Sequence, residues 1–67
     1  MLLIQVNGES RQVPPGTKVA QLIAAMPLAG KRFAVERNGE IVPKSRLDSV
    51  ILVDQDRLEI VIAVGGG

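Results

Sequence analysis

At 67 residues the chain is one domain or part of one, and a chain this short buries only about 60% of the surface its unfolded form exposes. It has no cysteine and no histidine, which excludes disulfides and thiolate or imidazole metal sites. A net charge of +1 and a single aromatic residue, Phe33, argue against nucleic-acid binding, because there is neither a basic field nor a stacking platform.

In chain order, "MLLIQVNGESRQV" reads as a hairpin. Leu2, Ile4 and Val6 alternate with Leu3 and Gln5, Asn7-Gly8 supplies a type I′ turn, and a polar second strand follows. The opening residues lack the basic segment and cleavage site of a signal peptide, and no apolar run approaches the roughly 20 residues of a membrane span. A cytoplasmic protein is expected. Pro14-Pro15-Gly16 breaks the second strand. Thr17 is placed to cap a helix over 18–26, in which Val19, Leu22, Ile23 and Met26 share one face until Pro27 ends it. Such a stripe reads as core.

After a connector over 28–32, "RFAVERNGEIV" reads as a second hairpin with Asn38-Gly39 at its tip. Phe33 and Val35 share one face; Ala34 and Glu36 share the other. Pro43 stops the fourth strand. "KSRLDSVIL" reads as a short helical turn or loop that tucks Leu47, Val50 and Leu52 under the sheet, and Asp54-Gln55-Asp56 as a turn. Residues 57–64 form the last strand. Its near-continuous hydrophobicity predicts a central position with at least part of both faces covered. The order hairpin, helix, hairpin, final central strand is the ubiquitin-like β-grasp: a mixed sheet of about five strands with one main helix on one face. The domain is expected to span 1–64, with a flexible glycine tail at 65–67.

Catalytic groups are scarce. Ser10, Thr17, Ser45 and Ser49 have no histidine to activate them, and Lys18, Lys31 and Lys44 lie in polar contexts. Asp54 and Asp56 lack the rest of a calcium loop, and turn chemistry is the simpler reading. Lys31, Arg32, Arg37, Lys44 and Arg46 concentrate positive charge; a solvated surface explains them, and a dock for an acidic protein face is the alternative. No metal site is expected.

Gly65-Gly66-Gly67 is no phosphate loop, because no helix follows to hold an anion. Taken alone, it also fits a passive terminus. Its one distinctive group is the α-carboxylate of Gly67, ionised at neutral pH with a pKa of about 3.3–3.7. Positioned by another enzyme, it can attack the α-phosphorus of ATP to give an acyl-adenylate, from which sulfur attack yields a thiocarboxylate and amine attack an amide. Glycine has no Cβ, so a narrow channel admits the backbone, and three extended glycines reach about 10 Å. On this reading the domain is a carried substrate and not an enzyme. Val61 and Ala63, on the outward face of the last strand, are the expected side-chain contacts to a partner.

The β-grasp order, "AVERNGEIVP" at 34–43 and "DRLEIVIAVGGG" at 56–67 closely resemble the ThiS family of sulfur carriers in thiamine biosynthesis, along essentially the whole chain. The resemblance implies that a ThiF-type, E1-like adenylyltransferase activates Gly67 with ATP. It implies that sulfur, drawn from cysteine through a desulfurase, is installed there as a thiocarboxylate. It implies delivery to a ThiG-type thiazole synthase, with Gly65 and Gly66 as the arm that enters both partners. The small subunit of molybdopterin synthase, other sulfur carriers, a ubiquitin-like modifier and a plain binding module with a passive tail are the competing readings.

Overall fold

The computed structural model describes residues 1–28 and 30–63. Five strands form one mixed sheet: β1 (Leu2–Val6), β2 (Glu9–Val13), β3 (Phe33–Arg37), β4 (Glu40–Val42) and β5 (Arg57–Ile62). Their order is β2-β1-β5-β3-β4. β1 and β5 pair in parallel, and every other neighbouring pair is antiparallel. The β-grasp expectation holds, with the last strand between the two hairpins.

Both hairpins turn on Asn-Gly as expected. Asn7 and Asn38 have φ of 51°, with Gly8 at 83° and Gly39 at 86°. Two successive left-handed residues are what a type I′ turn requires, and its twist matches that of the strands it joins.

The one helix among the described residues, α1 (Val19–Ala24), is shorter than the expected 18–26. Ala25 and Met26 continue in tighter geometry, donating to Leu22 and Ile23 three residues back, before Pro27. Thr17 does not cap it. Its hydroxyl donates to the Pro14 carbonyl at 2.7 Å, because the N-cap position falls one residue later, on Lys18. Gln21 Oε1 instead accepts the Lys18 N–H at 2.8 Å. The next two donors are satisfied from a distant loop: Val19 N–H bonds to Val50 O at 3.0 Å and Ala20 N–H to Leu47 O at 2.8 Å.

That loop contains a 3₁₀ turn at Lys44–Arg46, with Leu47 and Val50 partly buried and Leu52 buried against the core, as the sequence implied. The core lies between α1, this loop and one sheet face. Val19, Leu22 and Ile23 of α1 meet Ile4 and Val6 of β1, Val35 of β3, and Leu58 and Ile60 of β5.

One expectation fails on β5. The strand is central, but only one of its faces is covered. Leu58 and Ile60 are buried, while Glu59, Val61 and Ala63 are exposed. Ile62, on the covered side, is still 39% exposed. Its apolar run therefore mixes core residues with an exposed apolar surface. The strand ends at Ile62; Val64 lies outside the described residues.

Candidate functional site

β5 leads from the middle of the sheet toward the glycines. Gly65, Gly66 and Gly67 lie outside the described residues, so the site is read from the strand and from the surface beside it.

The sheet face opposite α1 carries that surface. Alternation places Ala34 and Glu36 of β3 on it with Arg57, Glu59 and Val61 of β5. The register pairs Ala34 with Val61 and Glu36 with Glu59, and Glu36 with Ile41 on its other side. Val61 is 54% and Ile41 62% exposed; Ala34 and Ala63 are exposed as well. Single exposed aliphatics are ordinary, but Ala34 and Val61 are register partners and Ala63 follows on the same face, so these three make one apolar patch, with Ile41 exposed on the same face beyond Glu36. The expectation that Val61 and Ala63 face outward is met. Ala34 joins them, which the sequence did not reveal because it takes the strand register to bring it beside Val61.

Beside the patch, Glu36 and Glu59 oppose each other directly across β3 and β5. Like charges at this spacing repel. With Arg57, Asn38 and Gly39 they line an open depression of about 390 Å³. Neither glutamate belongs to an ion pair among the described residues.

The root of β5 is held by Asp56, which is 2% exposed. Its Oδ2 accepts from Arg37 Nε at 2.9 Å and from the Val53 N–H at 2.9 Å, and its Oδ1 accepts from Asn38 Nδ2 at 3.0 Å. Burial pushes this carboxyl upward, but the bonds from Val53, Arg37 and Asn38 outweigh it and hold the group below the usual carboxylate range. Asp54 is also lowered, chiefly by the Leu3 N–H it accepts at 2.7 Å and then by Gln55. Turn chemistry thus accounts for Asp54. Asp56 is in addition the anchor of a buried polar network, legible only once Arg37 and Leu58 are known to be register partners.

That network also divides the basic cluster. Arg37 turns inward to Asp56. Lys44 lies over the Phe33 ring, 4.9 Å from its centroid, and Lys31, Arg32 and Arg46 are exposed. Among the described residues no group of acidic side chains is arranged to hold a metal ion, and no helix is long and apolar enough to cross a membrane.

A single helix on one face of a five-stranded mixed sheet, with a central last strand beside an exposed apolar patch, defines a ubiquitin-like β-grasp domain. The ThiS family model matches residues 4–67, and the chain belongs to that family. It is 42% identical to the sulfur carrier protein ThiS of Bacillus subtilis, over 97% of this chain and all of that one. The crystal structure of a thiamine biosynthesis protein (ThiS) from Geobacter metallireducens superposes with a TM-score of 0.81 at 29% identity, covering 98% of this chain and 100% of that one. The chain is also 44% identical, over 92% of its length, to part of a thiazole synthase of Paramagnetospirillum magneticum; it spans 19% of that protein.

Proposed function

We propose that the chain carries sulfur for thiazole formation in thiamine biosynthesis, as a thiocarboxylate on Gly67. The observation that carries this reading is the family match over residues 4–67, which takes in the triglycine.

The chemistry is supplied by partners. A ThiF-type adenylyltransferase holds ATP, and a Gly67 carboxylate oxygen attacks its α-phosphorus. The new P–O bond forms as the α–β phosphoanhydride breaks and pyrophosphate leaves. A sulfur nucleophile at the hydrosulfide level then attacks the carbonyl carbon, and AMP departs with the C–O bonding pair. When the sulfur arrives as a desulfurase-derived persulfide, a thiol must cleave its S–S bond. A ThiG-type thiazole synthase receives the thiocarboxylate. Support for that partner comes from the Paramagnetospirillum thiazole synthase, which includes a stretch similar to this chain.

The domain's own part is presentation. Gly65 and Gly66 give a slim approach to the reacting carbon. Val61 and Ala63, extended by Ala34, offer an apolar footing for the activating enzyme.

The test is the intact mass of the chain after incubation with its adenylyltransferase, ATP and a sulfur source. Replacement of one oxygen by sulfur, localised to Gly67, is the expected result, and an unprocessed C-terminal extension should abolish it. The same spectrum reports whether Gly67 bears a free carboxylate. An unmodified mass, with an enzyme competent on a control carrier, would overturn the proposal.

A further inference from the structure

The two hairpin asparagines do more than turn the chain. The parallel ladder between β1 and β5 is short: only Gln5 with Arg57 and Val6 with Leu58 are in register. Its last backbone bond runs from Asn7 N–H to Leu58 O at 2.9 Å. There β1 turns away through Asn7-Gly8, and β5 continues without it. The next β5 donor on that side, the Ile60 N–H, is taken by the Asn7 side chain, whose Oδ1 accepts it at 2.7 Å. A side-chain oxygen thus stands where the next main-chain carbonyl of β1 would be. On the other side β5 stays paired with β3 as far as Phe33 with Ile62. Asn38 makes the matching contact at the beginning of the strand, accepting the Arg57 N–H at 2.9 Å.

We infer that Asn7 is a positioning residue for the C-terminal arm: its Oδ1 sets the direction in which β5 leaves the sheet. The inference rests on the reading of Gly67 as the reacting end. Without this bond the strand is gripped from one side only beyond Leu58, so the arm spends less time aligned for entry into a partner. When only a fraction of a population is competent to bind, apparent affinity falls by that fraction, while the bound complex reacts as before. The signature is therefore a raised KM at unchanged kcat.

Asn7→Gly isolates the contact. Glycine accepts the left-handed turn and removes only the side-chain acceptor. Asn7→Asp restores an acceptor oxygen at the same place. Asn38→Gly is the control: it makes the same backbone change in the other turn and loosens the strand at its beginning. Two readouts are needed, amide hydrogen exchange at Ile60 and steady-state adenylation of the full chain.

In Asn7→Gly, exchange at Ile60 should quicken about tenfold, the effect of losing one net hydrogen bond. The KM for the chain should rise by the factor by which the aligned fraction falls, with kcat unchanged, and Asn7→Asp should return both toward the parent values. Asn38→Gly should lower the melting temperature and leave KM alone. Unchanged Ile60 exchange in Asn7→Gly would overturn the inference, as would faster exchange with an unmoved KM. Failure of the parent chain to be adenylated at all would overturn the Gly67 reading, while the exchange result would still report on the contact.

Discussion

Asn38 donates its Nδ2–H to Asp56 Oδ1 at 3.0 Å, joining the tip of the second hairpin to a carboxylate 18 residues further along the chain. Arg37 donates to the other oxygen of the same carboxylate, so two consecutive residues of one turn grip the residue that precedes β5. The side chain is buried and every lone-pair direction it needs is supplied locally. Such a group stabilises the fold while ionised and is costly when a partner is removed.

The pH dependence follows from the depressed folded-state pKa of Asp56. Its unfolded value is about 3.9. Its contribution is therefore fully present above about pH 5 and lost as pH falls through the lower folded value. Asp56→Asn should cost about 2–4 kcal/mol at neutral pH. The gap between parent and variant, measured by urea unfolding at a series of pH values, should narrow steadily below about pH 4. A gap that stays constant to pH 2 would contradict the assignment.

Asn38→Ala removes two hydrogen bonds and places a Cβ-bearing residue without local polar compensation at φ of 51°. A loss of about 1–3 kcal/mol is expected, or about 4–8 °C in melting temperature for each kcal/mol in a domain of this size. Thermal unfolding checks it; a shift below 2 °C would speak against the network.

Glu59→Gln should act in the opposite direction. It relieves the direct cross-strand repulsion with Glu36 and should raise stability by about 0.2–1 kcal/mol. The gain should shrink as salt is added, because screening already weakens the repulsion in the parent. Denaturant midpoints at low and high ionic strength provide the measurement, and a loss of stability would show that the two carboxylates are held apart.

Val61→Lys separates folding from function. The side chain is exposed and outside the core, so stability should change by no more than about 1 kcal/mol, the span of strand propensities. The efficiency of adenylation should fall about tenfold or more, the expected cost of forcing a charge into an apolar contact. Unaltered kinetics would remove Val61 from the interface.

Leu58→Ala tests how much of this small domain depends on β5. Leu58 is 1% exposed, and emptying its site should cost about 2–5 kcal/mol. A chain of 67 residues has about 3–10 kcal/mol of stability in all. Equilibrium unfolding should find a large unfolded fraction at 37 °C, and a variant as stable as the parent would mean that the core collapses around the gap.

The sequence by itself determined the two hairpins, the position of the helix and the centrality of the last strand. Each of these is written in local terms: Asn-Gly for the turns, a helical stripe ended by a proline, and a near-continuous apolar run for the last strand. Alternation put Val61 and Ala63 on the outward face of β5, but only the tertiary structure decided that this face is left uncovered, because an apolar strand residue does not state what packs over it. It also decided the pairing of Asp56 with Arg37 and Asn38, the patch that Ala34 shares with Val61, and the contact between Asn7 and Ile60. These join residues 18 to 53 positions apart, and strand register, which no local pattern states, brings them together.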